Sequence, residues 1–299
     1  MIYAFLSGKR EQDRYVKAFG ASCGAKIVHT RHIVSRHSSR GALPEKILKR
    51  GLPHQVNTII FSGILRGNAH LFELAKRRNV NFYYIDHAYF NKGYDGPSWM
   101  RITKNGFAQN SILDKVNENR FSDNFNLTFE DYNFIDKRNI VILPPSDVVS
   151  RVFDKQNWEN AVIDKLRKHT NRPIVVRRKP GDSIDNLLIN PVKVKNKPVY
   201  EESLEDVMKD AYCVVAYNSS AALDALRMGV PVICDRFCPA FPLSHSLDRI
   251  ENLTEKERMP LFQSLAHGQY TIGEAQDPKT FEYLNSVTQW KGPFECNIS

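Results

Sequence analysis

The sequence predicts an α/β fold of two successive halves, each a parallel sheet with helices on its faces. Three observations carry that prediction. Short β-type runs alternate with stretches of helical spacing, as in "NTIIFSG", "NAHLFELAKRRN" and "VNFYYID". The alternation dissolves from Gly93 to about Asn126 and resumes at "NIVILPP", which places a junction near residues 135–145. With 299 residues, 42% of them hydrophobic and 25% charged, the chain can bury two ordinary cores beside a shared cleft. The expected division is 1–137 and 138–299, with the final helices free to pack back on the first domain.

In chain order, "MIYAFLSG" reads as a strand ending in Gly8, and "REQDRYVKAFG" as a helix capped by Gly20. "AKIVHT" is a strand, followed by a basic segment with a helix near 44–50. After the strand–helix–strand unit at 57–86, the Gly-, Asn- and aromatic-rich stretch to Asn126 is a long excursion around a site. "NIVILPP" is a strand stopped by Pro144 and Pro145. A helix at 157–169, the strand and loop "PIVVRRKPGD", a helix at 203–210, the strand "YCVVAY", a helix at 219–228 and the strand "PVICD" follow. The tail from Thr254 to Ser286 is helical in pattern.

Composition narrows the chemistry. Five cysteines are too scattered for a disulfide framework; Cys213 and Cys234 read as fillers of buried strands, and "CDRFC" lacks the second Cys/His pair of a zinc site. No stretch approaches the ~20 apolar residues of a membrane span. Charge follows the N-terminal apolar run, the wrong order for a signal peptide, so the cytoplasm is the expected compartment. A net charge of +9 points to a polyanionic partner. Lys26, Arg31, Arg36, Arg40, Lys46, Lys49 and Arg50 stand against Glu45 alone, and Arg177, Arg178, Lys179, Lys193, Lys195 and Lys197 form a second cluster.

In parallel sheets, ligands gather beyond the carboxyl ends of the strands, so the residues after each strand are the candidates. "GILRGN" offers Gly63 and Arg66 before a helix, without the spacing of a dinucleotide or P-loop motif. Asp86 and His87 end "YYIDH" where a general base could reach a bound hydroxyl. Tyr89, Arg101 and Lys104 are expected to line the same cleft. Arg177, Arg178 and Lys179 leave a buried strand, and guanidinium suits phosphate. Asn218, Ser219 and Ser220 open a helix that carries Asp224; one hydroxyl suffices to cap it, and the helix N-terminus attracts an anion.

The strand followed by "NSSAALDALRMGVPVI" resembles the nucleotide-sugar segment of GT-B glycosyltransferases, above all the Ser-Ser motif of polysialyltransferases and capsule Kdo transferases. It covers about 170–240, with "RRKPGD" where those families carry His-Pro; the first half matches in architecture only. The resemblance implies two Rossmann-like domains facing a central cleft and a UDP- or CMP-sugar donor. Its phosphate would sit on Arg178, Lys179, Ser219 and Ser220 with no essential metal, and Asp224 would support the loop or touch the ribose. Asp86, or His87 beside it, would deprotonate the acceptor. A compact, basic enzyme of this kind also resembles the bacteriophage glycosyltransferases of hydroxymethylated pyrimidines, with the host cytoplasm as its site of action. That likeness implies duplex DNA as acceptor, phosphates on Arg31, Arg36, Arg40, Lys46, Lys49 and Arg50, and an extruded base stacked on Tyr84, Tyr89, Phe90, Tyr94 or Trp99. The alternatives are a surface-glycan transferase of capsule or lipopolysaccharide type, and a non-catalytic nucleic-acid-binding protein.

Overall fold

A computed structural model describes residues 1–8, 10–29, 31–35, 38–42, 50–64, 68–90, 99–134, 138–179 and 200–287, with backbone alone for 10, 31–35 and 38–42. The first half comprises β1 (Ile2–Leu6), α1 (Arg10–Ser22), β2 (Lys26–His29), the antiparallel hairpin β3 (Arg31–Ser35) and β4 (Ser38–Ala42), and β5 (Thr58–Ser62). It continues with α2 (Ala69–Arg78), β6 (Asn81–His87), β7 (Met100–Lys104) and α3 (Asn119–Asn124). The second comprises β8 (Asn139–Leu143), α4 (Asp147–Val152), α5 (Trp158–Leu166), β9 (Ile174–Val176), α6 (Leu204–Lys209), β10 (Ala211–Ala216), α7 (Ala221–Arg227) and β11 (Val232–Cys234). The tail adds α8 (Met259–Ala266), β12 (Gln269–Tyr270), α9 (Ile272–Gln276) and α10 (Pro278–Ser286).

The architecture is mixed α/β with two mainly parallel sheets. The second sheet has the order β11-β10-β8-β9, all parallel, so its four carboxyl ends lie along one edge. The first has the order β12-β7-β6-β5-β1-β2. Four of its strands are parallel, and β7 and β12 are antiparallel additions at one side. Strand β7 lies inside the stretch read from sequence as irregular. Its residues Met100, Arg101, Ile102 and Thr103 are all buried, so the polar side chains Arg101 and Thr103 are covered as well as the apolar ones.

Turn chemistry departs from the sequence reading at α1. Gly20 lies within the helix, where a Cβ would come within 3.2 Å of Ala4 Cβ, and the chain turns at Gly24, with φ +65°. Gly20 is thus a packing residue of the helix–strand contact, and Gly24 takes the left-handed turn. The helix predicted near 44–50 falls outside the described residues apart from Arg50.

The tail returns to the first sheet. Helices α9 and α10 pack on α1, Phe281 lies 5.9 Å from Phe19 and 5.5 Å from Tyr83 (ring centroids), and Tyr83 Oη donates to Asn285 Oδ1 at 2.8 Å. One apolar core spans both sheets, through contacts of Phe72 and Phe107 with Phe153 at 5.9 and 5.7 Å and of Phe153 with Phe237 at 5.0 Å. Among the described residues no helix is long and apolar enough to cross a membrane.

Candidate functional site

The carboxyl ends of the two sheets meet across a ladder of rings. Tyr84 of β6 stacks on Phe107 at 5.2 Å, Phe107 meets Phe237 edge-on at 6.1 Å, and Phe237 packs on Tyr217 at 5.5 Å. One end of the ladder carries Asp86 and His87, the other Asn218, Ser219 and Ser220. Sequence reasoning missed both phenylalanines, since nothing local distinguishes them from other core residues.

Asp86 does not stand open at its strand tip. Antiparallel β7 places Arg101 directly opposite it, and the guanidinium pairs with Asp86 Oδ2 at 3.1 Å. The Tyr84 hydroxyl donates to the same oxygen at 2.7 Å, and the His87 amide to Oδ1 at 2.9 Å. Burial raises the pKa of this carboxyl, but Arg101, His87 and the two hydrogen bonds together bring it below the ordinary value. Burial and the neighbouring anion push the Tyr84 phenol well up. The result is a fixed carboxylate with both oxygens engaged. His87 follows it, half-buried at the strand end.

The predicted acceptor residues are redistributed by the same antiparallel strand. Arg101 is buried beneath Asp86, with its guanidinium against the faces of Tyr89 and Phe107 at 5.5 Å each. Lys104 lies opposite Tyr83, away from the strand tip, and donates to Asn285 Oδ1 of α10 at 2.7 Å. Tyr89 is buried, and its hydroxyl accepts from the Gln109 amide at 2.7 Å. Gly63, with φ +58°, does reach the carboxyl edge, and a Cβ there would approach Gln12 Oε1 to 3.2 Å. Arg66 lies outside the described residues. At the end of β1 the backbone amides of Ser7 and Gly8 both donate to the Asp13 carboxylate at 2.8 Å, so the chain's own anion fills that loop.

In the second sheet, the serines are not used up in capping. Ser220 occupies the N-cap position of α7 with helical φ and ψ, and its side chain makes no cap hydrogen bond. Ser219 Oγ accepts from the Ala221 amide at 3.3 Å. Asn218, Ser219 and Ser220 are all half-exposed. Helix α7 has only seven residues, so the hydroxyls and nearby cations matter more here than an extended helix dipole. Asp224 lies a turn further on, 3.8 Å from Arg227.

The two arginines after β9 are engaged elsewhere. Arg178 forms a two-pronged bridge to Glu159, at 2.5 and 3.0 Å, and the Arg177 guanidinium lies 3.8 Å from the Tyr200 ring and donates to the Glu202 carbonyl at 2.8 Å. Lys179 is exposed. Arg36, Lys46 and Lys49 of the basic run lie outside the described residues, as do the side chains of Arg31 and Arg40; Arg50 is exposed. Four of the five aromatics named as a stacking platform for a flipped base are buried. Tyr84, Tyr89, Phe90 and Trp99 are between 0% and 7% exposed and pack in the core, and Tyr94 lies outside the described residues. An open cavity of about 650 Å³, lined by Arg167, Lys168, His169, Arg172 and Glu251, precedes β9 and so lies at the opposite edge of the second sheet. Among the described residues no three His, Cys, Asp or Glu side chains gather as a metal site.

No protein-family profile and no curated protein sequence matches the chain. Among solved structures it is similar to the β-Kdo 2,4 transferase KpsC of Thermosulfurimonas dismutans, at 12% identity over 95% of this chain and 96% of that one, with a TM-score of 0.46. It is also similar to the β-Kdo 2,7 transferase KpsC of the same organism, at 14% identity over 95% and 98% of the two chains, with a TM-score of 0.44.

Proposed function

We propose that the protein is a glycosyltransferase of GT-B type that moves a sugar from a nucleotide-sugar donor to a hydroxyl of a surface glycan of capsule or lipopolysaccharide type. The observation that carries this reading is the pair Ser219–Ser220 at the carboxyl end of β10, with the Ser220 hydroxyl unused by its own helix. The ring ladder leads from there to Asp86 and His87 at the end of β6. In this reading residues 1–137 bind the acceptor and 138–299 the donor, a UDP- or CMP-sugar. His87 takes the proton of the acceptor hydroxyl, and the Asp86 carboxylate, held by Arg101 and Tyr84, favours the resulting imidazolium. The acceptor oxygen bonds to the anomeric carbon as the bond from that carbon to the phosphate oxygen breaks. The electron pair stays on the phosphate, where Asn218, Ser219 and Ser220 offer hydrogen bonds to the developing charge. Duplex DNA as acceptor is the less favoured reading, because Tyr84, Tyr89, Phe90 and Trp99 are buried in the core.

The test is a panel of UDP- and CMP-sugars with capsular or lipopolysaccharide oligosaccharides, and with hydroxymethylated and unmodified duplex DNA, read by nucleotide release and product mass. Sugar added to an oligosaccharide, and lost in His87→Ala, is the expected result. Transfer to hydroxymethylated DNA alone would restore the nucleic-acid reading, and no transfer from any donor would overturn the enzyme reading.

A further inference from the structure

Strand order, not sequence order, decides which cation sits beside Ser219 and Ser220. Strands in a sheet are about 4.8 Å apart. Strand β9, which leads to Arg177, Arg178 and Lys179, is separated from β10 by β8, whereas β11 is the direct neighbour of β10 on the other side. Two residues past the end of β11 stands Arg236, which is exposed.

Several contacts fix it there. The β10–β11 register pairs Ala216 with Cys234, and the Asp235 amide extends it by donating to the Ala216 carbonyl at 3.0 Å. Phe237 packs on Tyr217, and Cys238 Sγ donates to the Ser219 carbonyl at 3.4 Å. Residues 235–238 thus lie alongside 216–219, and Arg236 is the single exposed residue between Gly229 and Ala240. From the first half, the Asn110 side-chain amide holds the Arg236 carbonyl at 2.5 Å. Backbone and neighbours are therefore pinned from both halves, while no hydrogen bond or ion pair to a described residue engages the guanidinium. Asp235 next to it is buried, with Oδ1 accepting from the Phe237 amide at 3.4 Å.

We propose that Arg236 is the donor-binding cation of this site, clasping the phosphate of the nucleotide jointly with Ser219 and Ser220, and that Arg178 is a structural partner of Glu159 instead. The assignment rests on the nucleotide-sugar reading above. A guanidinium offers two parallel donors to a phosphate, and it stands one strand from the hydroxyls that would share the ligand. Exposed and unpaired, it approaches the ligand without first breaking a bridge, which Arg178 would have to do.

The experiment is calorimetric titration of the full chain with CMP and with UDP, for the wild type and for Arg236→Gln, Arg236→Lys, Arg178→Gln and the double variant Ser219→Ala/Ser220→Ala. Arg236→Gln is expected to weaken the bound nucleotide about tenfold or more, with partial recovery in Arg236→Lys and an unchanged melting temperature. Arg178→Gln is expected to bind within about twofold of wild type. If the serine variant loses affinity and Arg236→Gln does not, the assignment of Arg236 is wrong and the nucleotide-sugar reading stands. If the wild type binds neither nucleotide, that reading falls and this assignment with it.

Discussion

Replacing Arg101 by methionine removes the charge that keeps Asp86 ionised while preserving most of the volume against Tyr84, Tyr89 and Phe107. The Arg101 and Asp86 side chains are 9% and 19% exposed, so their 3.1 Å pair is shielded from screening by water. The variant leaves the carboxylate with the Tyr84 hydroxyl and the His87 amide as donors. Removing one partner of a buried pair costs about 3–5 kcal/mol, a large part of a total stability of about 5–15 kcal/mol. Asp86→Asn added to Arg101→Met removes the stranded charge and should recover about 2 kcal/mol. Urea denaturation of the wild type, both single variants and the double variant, followed by circular dichroism near neutral pH, measures the cycle.

The pH dependence supplies an independent sign. In the wild type the folded-state pKa of Asp86 is depressed. Its contribution is therefore present above the unfolded value, about 3.9, and is lost as the pH falls through the folded value. Without Arg101, burial governs and raises the folded pKa above the unfolded one. The contribution is then complete below about pH 3.9 and is lost as the pH rises through the folded value. Arg101→Met should thus lose ground to the wild type on going from acid to neutral pH. A cost under about 1 kcal/mol, with a pH profile parallel to the wild type, would refute the buried-pair account.

Three further outcomes follow from other parts of the structure. Gly229→Ala should lower stability by about 2 kcal/mol or more. At φ +68° its Cβ would run into the Asp131 carbonyl and come within 3.1 Å of Tyr132 Cα, and thermal denaturation reads the loss. Ser220→Ala should leave the melting temperature within a degree or two of wild type, because no cap hydrogen bond is removed, whereas a true N-cap loses about 1 kcal/mol. His267 Nε2 accepts from the Asn117 amide at 2.8 Å, and burial holds its pKa below the usual 6.5. Its stabilising contribution is complete above the unfolded pKa and declines as the pH falls through the folded one, and His267→Gln should flatten melting curves compared between about pH 5 and 8.

The elements were legible because each depends on neighbours in sequence: the runs at 58–62, 211–216 and 232–234 are strands, and 69–78 and 158–166 are helices. Inspecting strand ends located Asp86 and the two serines for the same reason. What one strand presents to another was not legible. Arg101 reads as a cleft cation until β7 is known to run antiparallel to β6, which places it beneath Asp86 and sends Lys104 to the far edge. Tyr84, Tyr89, Phe90 and Trp99 read equally well as a stacking platform or as core, and only burial separates the two. Arg236 stands two residues past β11, inside "CDRFC", where the cysteines are the more conspicuous residues. The Arg178 bridge to Glu159 is not legible either, because the two lie 19 residues apart.

The polar ties between the tail and the first half bear on how such a site would work. Gln269, fully buried, accepts from the Tyr89 and Phe90 amides at 2.9 and 3.3 Å and returns a bond to the Phe90 carbonyl at 3.2 Å. Gln109 donates to Ser264 Oγ at 2.7 Å, and Arg120 reaches the carbonyls of Ala266 and Gln269 at 2.8 and 2.9 Å and the Glu274 carboxylate at 2.6 Å. Every one of these bonds joins residues 89–120 to residues 264–274, which flank the ring ladder in the chain. Breaking them together would strand several buried polar groups, each at about 1–3 kcal/mol. Peeling the tail away from the first sheet is therefore costly, and that side of the site is fixed before a ligand arrives. Binding with little rearrangement requires side chains that already meet solvent; at the carboxyl edge of the second sheet these include Arg178, Lys179 and Arg236, which are exposed, and Asn218, Ser219 and Ser220, which are half-exposed. Electrostatic stabilisation is most effective when the donors are held in place before charge develops. The pinned backbone of Arg236 and the unused hydroxyl of Ser220 meet that condition, whereas Arg178 would first have to leave Glu159.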